Sequence, residues 1–132
     1  MVSADKKNNQ DVRATCLNCI DGRVQLPVLH WIRDQYQVNF VDLITAAGID
    51  RVIASQDNIN EIIHSINISI NVNKSVRIFI VGHYDCQGNP VDEKTHHQHI
   101  IESVKRLKGY WPKLEIIGLW VNNHWQVKVC CK

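Results

Sequence analysis

The sequence has little that would connect it to a membrane or to nucleic acid. No stretch reaches the roughly eighteen consecutive apolar residues that a membrane-spanning helix needs. The polar opening, residues 1–10, has no apolar run behind it that would predict a secretory signal or a membrane anchor. The formal net charge of +2 is small and dispersed, so it gives no reason to expect a nucleic-acid partner. We therefore expect neither membrane nor nucleic acid among its partners.

The sequence also lacks the cysteine pattern of a disulfide-stabilised protein. It has five cysteines, an odd number, and Cys19 and Cys86 stand in short motifs of metal-ligand type, so a disulfide framework is disfavoured. Free thiols are typical of a reducing compartment, and we expect a cytoplasmic protein. The adjacent Cys130 and Cys131 take no part in the functional argument from sequence.

No internal repeat, low-complexity linker or second domain interrupts the chain. Its 132 residues match the usual size of one domain, which can bury a core without disulfides. The hydrophobic fraction of 45% and the charged fraction of 21% are ordinary for a globular protein. We predict a flexible N-terminal tail over residues 1–11 and a single domain over residues 12–132.

Strand-like and helix-like segments alternate along this domain. Strands are predicted over residues 12–19, 39–45, 76–81, 114–121 and 124–129. Helices are predicted over residues 27–36, 56–71, with Ser55 as N-cap, and 90–108, which Gly109 ends. The nearly continuous apolar run 76–81 is typical of a strand that is buried on both faces. Asn122-Asn123 predicts a tight turn into an antiparallel edge strand.

This alternation predicts an α/β fold. We expect a mainly parallel central sheet of about four strands in the order 2-1-3-4, with an antiparallel edge strand and helices on both faces. In such sheets, ligands bind beyond the carboxyl ends of the strands, where the strand order reverses. Residues that follow the first and third strands are therefore the first candidates for a functional site.

Two short motifs follow those strands. Cys19-Ile20-Asp21-Gly22-Arg23 comes after the first, and Gly82-His83-Tyr84-Asp85-Cys86 comes after the third. Together they offer two thiolates and one imidazole, and three protein ligands with a fourth position left to water are typical of catalytic Zn²⁺ sites. We predict that Zn²⁺ is bound by Cys19, His83 and Cys86.

Two other interpretations of the first motif remain open. Cys16 precedes Cys19 by three residues and would complete a closed structural Cys₃His site, but residues an odd number apart on an extended strand point to opposite faces. Cys16-Leu17-Asn18-Cys19 also has the spacing of a redox C-x-x-C motif. That motif belongs at the start of a helix, whereas Asp21-Gly22 follows here.

Asp21 and Arg23 stand beside the first predicted thiolate, where a closed structural site has no need of them. An aspartate in this position can accept a hydrogen bond from zinc-bound water or hydroxide, and a bidentate arginine keeps the carboxylate ionised and oriented. The alternative is a surface ion pair or a simple Asp-Gly turn. We predict that Asp21 and Arg23 are catalytic.

The two motifs resemble those of the β-class carbonic anhydrases, whose zinc site uses C-x-D-x-R and a downstream H-x-x-C. The resemblance includes Ala46-Ala47-Gly48 after the second strand and covers most of residues 12–129. It implies that zinc-bound hydroxide converts carbon dioxide reversibly to bicarbonate, with Asp21 and Arg23 as the catalytic dyad. It also implies a homodimer or a larger homo-oligomer. Zinc would be bound by Cys19, His83 and Cys86.

The sequence leaves an alternative open both for the function and for the role of a histidine cluster. The alternative function is that of a zinc-binding relative with weak or no catalysis, retained for regulation, bicarbonate sensing or assembly. The histidines at positions 96, 97 and 99 form a cluster, in which one imidazole could shuttle protons because it titrates near neutral pH. The alternative is that all three are ordinary helix residues.

Overall fold

The computed structural model describes residues 11–132, so the predicted N-terminal tail lies, apart from Asp11, outside the described residues. The strands are β1 (Arg13–Asn18), β2 (Phe40–Thr45), β3 (Arg77–His83), β4 (Glu115–Val121) and β5 (Val127–Cys131). The helices are α1 (Gln25–Tyr36), α2 (Ile49–Ser55), α3 (Asn60–Asn67) and α4 (Glu93–Tyr110). A 3₁₀ turn (Gly22–Val24) precedes α1, and a π-helical turn (Ile68–Val72) follows α3.

The five strands form one sheet in the order β2-β1-β3-β4-β5. The first four pair in parallel, and β5 pairs antiparallel with β4. The predicted α/β fold and strand order are confirmed. The chain runs outward from β1 to β2 and then returns past β1 to β3, so the strand order reverses between β1 and β3. This reversal creates the crevice in which open α/β sheets hold their ligands.

Successive side chains of β3 point to opposite faces of the sheet, and both faces are buried. Phe79 and Val81 pack on the side covered by α1, whereas Ile78 and Ile80 pack on the side covered by α2, α3 and α4. All four side chains are fully buried, and each contributes about 1.5–3 kcal/mol by leaving water. Burial on both sides explains why this segment is apolar at nearly every position, and the predicted helices on both faces are confirmed.

The helix predicted over residues 56–71 is present but starts later than predicted, since α3 and the π-helical turn together cover residues 60–72. Ser55 does not cap a helix but ends α2, where its hydroxyl donates a hydrogen bond to the Arg51 carbonyl, and α3 begins only at Asn60. Ile59 lies before α3 and is nevertheless 3% exposed. The isoleucine spacing therefore continues across the break, because a buried loop residue satisfies the same apolar pattern as a helical one.

The last helix differs from its prediction at both ends. It begins after Asp92, whose carboxylate accepts a hydrogen bond from the Thr95 backbone N–H, and it continues through Gly109 to Tyr110. Ile101, predicted to face inward, is 38% exposed. No helix in the described part of the chain has both the length and the apolar character that a membrane crossing needs.

The edge strand β5 begins later than predicted, at Val127 rather than at residue 124. The Asn122 side chain accepts hydrogen bonds from the backbone N–H groups of His124 and Gln126. These bonds lengthen the turn between β4 and β5, because an asparagine side chain can substitute for backbone acceptors within a turn.

Candidate metal centre

The candidate metal centre lies where the strand order reverses. Cys19 follows β1, His83 ends β3, and Cys86 comes after a two-residue turn. Since β1 and β3 are adjacent parallel strands, their carboxyl ends meet at one edge of the sheet. The structure thereby brings the three predicted ligands together, with their donor atoms within 4.8 Å of one another and all three residues buried.

The geometry of this cluster fits Zn²⁺. The sulfurs of Cys19 and Cys86 are 3.9 Å apart, close to the roughly 3.8 Å expected for two thiolates about 2.3 Å from a tetrahedral ion. The Nδ1 of His83 donates a hydrogen bond to the Tyr84 carbonyl at 2.8 Å, which leaves Nε2 with its lone pair free to ligate. Within residues 11–132, this buried Nε2 has no hydrogen-bond partner. A divalent cation would satisfy it.

The contact between the two sulfurs shifts the pKa values of both thiols. Hydrogen bonding from the Cys86 thiol outweighs burial and, with help from His83 and the Gly48 N–H, lowers the pKa of Cys19 to about 4. The same interaction raises the pKa of the Cys86 thiol. Burial opposes protonation of His83, but its interaction with the Cys19 sulfur and the neighbouring carbonyl raises its pKa overall. A metal ion bound here would keep both thiols deprotonated, as expected for thiolate ligands.

Cys16 does not join this cluster. It is fully buried in the core beneath α1, and burial raises the pKa of its thiol to about 12. Among the described residues, the group able to hold a metal consists of Cys19, His83 and Cys86. The closed Cys₃His site is therefore not formed.

Asp21 and Arg23 contact each other beside the cluster. Arg23 donates from Nη2 to Oδ2 at 2.7 Å and from Nε to Oδ1 at 3.1 Å, and its backbone N–H donates to Oδ1 at 2.9 Å. Hydrogen bonding from Arg23 lowers the pKa of the Asp21 carboxyl to about 2, so the carboxylate is ionised near neutral pH and only accepts hydrogen bonds. Asp21 and Cys19 line one pocket of about 230 Å³ together with Ile20, Ala47, Gln87 and Gly88.

Arg23 also connects the two motifs. Its Nη1 lies 3.2 Å from the Asp85 carboxylate, and its Nη2 donates to the Asp85 carbonyl at 3.1 Å. The guanidinium stacks over the Trp125 ring, 4.7 Å from the centroid. Asp85 has a φ of 58°, a conformation that aspartate adopts more readily than most non-glycine residues. These contacts join segments far apart in the sequence, so no local pattern predicts them.

The loop after β2 and the loop after Cys86 touch through their backbones. A Cβ on Gly48 would lie 2.4 Å from the Gly88 carbonyl carbon, and one on Gly88 would lie 2.4 Å from the Ala47 carbonyl carbon. Gly48 also has a φ of 60°, which favours glycine. Its N–H donates to the Cys19 sulfur at 3.4 Å. The small-residue turn noted in the sequence therefore touches the metal cluster directly.

A buried polar network supports the second motif. Asp50 of α2 and His96 of α4 are each 1% exposed, and His96 Nδ1 donates to Asp50 Oδ2 at 2.6 Å. The Asn89 amide donates to the other carboxylate oxygen at 3.1 Å, and its backbone N–H donates to the Cys86 carbonyl at 3.3 Å. Gly82 of β3 packs on the same carboxylate, since a Cβ there would lie 2.8 Å from Oδ2.

Sequence reasoning singled out the histidine cluster but missed the partners of His96. Sequence reasoning did not notice Asp50 or Asn89, although a carboxylate next to Ile49 at the start of an amphipathic helix is an available signal of a buried polar network. Gln25 was also missed: its amide donates to the carbonyls of Cys19 and Asp21 at 2.6 and 3.0 Å, which holds the first motif in place.

Comparison with known proteins identifies a family and two similar folds. A family model described as "Putative carbonic anhydrase" matches residues 9–131. A tetrameric β-carbonic anhydrase from the filamentous ascomycete Sordaria macrospora is 14% identical, with a TM-score of 0.62 over 95% of this chain and 84% of that chain. The β-carbonic anhydrase CcaA is 12% identical, with a TM-score of 0.59 over 95% and 82% of the two chains. These two likenesses show the fold alone. No curated protein sequence matches the chain.

The ligand set predicts a selective loss of zinc on cysteine substitution. Cys19→Ser and Cys86→Ser should each bind zinc at least about tenfold more weakly than the wild type, because each loses one of three ligands. Elemental analysis after dialysis against a competing chelator measures the occupancy. Cys16→Ala is the matched control and should retain zinc, and an equal loss in that variant would contradict the assignment.

The buried network predicts an effect of Asn89 on zinc affinity. Asn89→Ala removes the amide that ties the loop after Cys86 to Asp50, and we expect about 10–100-fold weaker zinc binding, as for other residues that orient metal ligands. Competition with a zinc-binding dye measures the affinity, and circular dichroism checks the fold. Asn123→Ala, in the exposed turn before β5, is the control. Unchanged affinity in Asn89→Ala would show that the network does not position the ligands.

Proposed function

The chain belongs to the family described as "Putative carbonic anhydrase", and we propose that it catalyses the reversible hydration of carbon dioxide to bicarbonate with Zn²⁺ held by Cys19, His83 and Cys86. The observation that carries this proposal is the position of an ionised Asp21, paired with Arg23, in the same pocket as Cys19. A purely structural zinc site would not need a carboxylate fixed beside it. Zinc at this position would lower the pKa of a bound water and so supply a nucleophile near neutral pH.

The ligands set the charge of the site. The thiolates of Cys19 and Cys86 formally cancel the charge of a divalent cation, which weakens its pull on a water compared with an all-histidine site. His83 would contribute a neutral imidazole, because the Tyr84 carbonyl holds the ring proton on Nδ1 and a ligating Nε2 carries none. Because the cation would polarise a bound water less strongly, a fixed hydrogen-bond acceptor beside the nucleophile contributes more to its orientation.

Asp21 supplies that acceptor. With a pKa of about 2, it is too weak a base to take the proton at neutral pH, so it orients the attacking water rather than deprotonating it. Arg23 fixes both carboxylate oxygens in this role by bidentate hydrogen bonding. A fixed acceptor that stays charged throughout the reaction requires no reorganisation when the nucleophile attacks.

The pocket suits a small uncharged substrate. Its volume is about 230 Å³, and Ile20 and Ala47 add apolar surface beside the Asp21 carboxylate. An apolar wall can hold carbon dioxide next to the nucleophile without hydrogen bonds that would be lost during the reaction. The product bicarbonate carries a charge and is less well matched to the same wall, which favours its release.

We propose further that the protein is a homodimer or a larger homo-oligomer. The structurally similar carbonic anhydrases from Sordaria macrospora are tetrameric. In this chain, the edge strand β2 exposes Phe40 (48%) and Leu43 (40%), and Ile20 (62%) and Tyr84 (49%) are exposed beside the metal centre. Apolar side chains gathered at a sheet edge and a pocket mouth are typical of surfaces that another subunit covers.

The catalytic proposal predicts that Asp21→Asn loses activity but keeps zinc. Because the amide cannot serve as a charged acceptor, kcat/KM for carbon dioxide hydration should fall about 100-fold or more. Stopped-flow measurement with a pH indicator gives the rate, and elemental analysis confirms the zinc. Asp34→Asn, at an exposed position of α1, is the control. Full activity of Asp21→Asn would rule out the dyad, and an inactive zinc-loaded wild type would favour the non-catalytic alternative.

The oligomer proposal predicts a solution mass of at least twice the 15.2 kDa of one chain. Light scattering coupled to size-exclusion chromatography, over a tenfold range of protein concentration, measures it. A mass that stays near that of a single chain would contradict the proposal.

A further inference from the structure

The end of β5 places two consecutive cysteines on the same face of the sheet. Gly118 is paired with Cys131 and Leu119 with Val129, so Cys130 has no partner in the register and forms an irregularity in the strand. Along a regular strand, consecutive side chains point to opposite faces. The extra residue of a β-bulge breaks this alternation, and here it turns Cys131 to the side that Cys130 already occupies.

The packing of the neighbouring residues agrees with this arrangement. Val127 packs on the α1 side of the sheet, whereas Cys130 and Cys131 both pack on the side covered by α2, α3 and α4. Without the bulge, Cys131 would share the face of Val127. The sulfur of Cys131 lies over Gly118, where a Cβ would come within 2.7 Å of it. A glycine at this position leaves the space that the sulfur occupies.

The two thiols are adjacent on one face of the sheet, and solvent reaches both. Hydrogen bonding from the Cys130 thiol, helped by the Gly118 backbone and by the charge of Lys108, lowers the pKa of Cys131 to about 7 despite partial burial. The same contact raises the pKa of Cys130. Both residues are partly exposed, whereas the other three cysteines, Cys16, Cys19 and Cys86, are at most 3% exposed.

We propose that Cys130 and Cys131 form a dithiol site that binds one soft, thiophilic centre, such as trivalent arsenic, through both sulfurs. Two sulfurs held on one face can chelate a single atom, and sulfur ligands select soft centres over hard ones. The site shares no residue with the candidate metal centre. Its function is separate from carbon dioxide hydration, and the proposal does not rest on that activity.

The binding reaction with an organic arsenoxide needs no oxidant or reductant. Two arsenic–sulfur bonds form, both S–H bonds and the arsenic–oxygen bond break, and the oxygen leaves as water with the two thiol protons. Arsenic stays trivalent throughout. Because Cys131 deprotonates near neutral pH, the first bond can form with its thiolate, and Cys130 closes the chelate as it releases its proton.

The test uses phenylarsine oxide and the full-length, zinc-loaded protein. Native mass spectrometry should show one arsenical per chain with zinc retained, and a small dithiol such as dithiothreitol should remove it. Cys130→Ser and Cys131→Ser should each weaken binding at least about 100-fold, because a single thiol loses the chelate. Cys16→Ala is the control and should bind normally. Cys130→Ala and Cys131→Ala form a second pair of variants in case serine disturbs the packing.

Two results would overturn the proposal. One is unchanged affinity in folded variants that lack either sulfur, with circular dichroism as the check on folding. The other is loss of one zinc ion for each arsenical bound, since this would place the arsenical on Cys19 and Cys86 instead. Neither readout measures carbon dioxide hydration, so failure here is distinguishable from failure of the proposed catalytic function.

Discussion

The parallel pairing of β1 with β3 is the interaction on which the candidate metal centre depends. It aligns two strand ends that come from segments about sixty residues apart, and it does so at the one place in the sheet where the strand order reverses. This pairing places Cys19 and His83 close together, and a tight turn after β3 brings Cys86 to them. Any slip in register between the two strands would separate the sulfurs, because side chains change face with every residue.

The residues that support the cluster outnumber those that would touch a metal. Gly48 and Gly88 bring two loops into backbone contact, Asn89 and Asp50 anchor the loop that carries Cys86, and Gln25 holds the first motif. Each of these contacts joins segments distant in sequence. A site built in this way has its ligands positioned before a metal arrives, which lowers the entropic cost of binding.

The fold and the clustering of Cys19, His83 and Cys86 were predictable from the sequence because both depend on local patterns. Apolar runs at β3 and motifs at strand ends are visible along the chain, as are the cysteines and the histidine that zinc prefers. The helix predicted from residue 56 begins only at Asn60, because Ile59 keeps the apolar spacing while lying in a loop. Asp50 and Trp125 were missed because their partners, His96 and Arg23, lie 46 and 102 residues away, and no periodicity reports such distances.

Arg23 has two attachments, to Asp21 on one side and to Asp85 with Trp125 on the other. The contacts with Asp85 and Trp125 do not depend on Asp21. They would therefore hold the guanidinium in place if the Asp21 carboxylate moved. If the Asp21 carboxylate turned away, Arg23 would keep its place, and the N–H groups that now donate to Asp21 would be free to bind another anion.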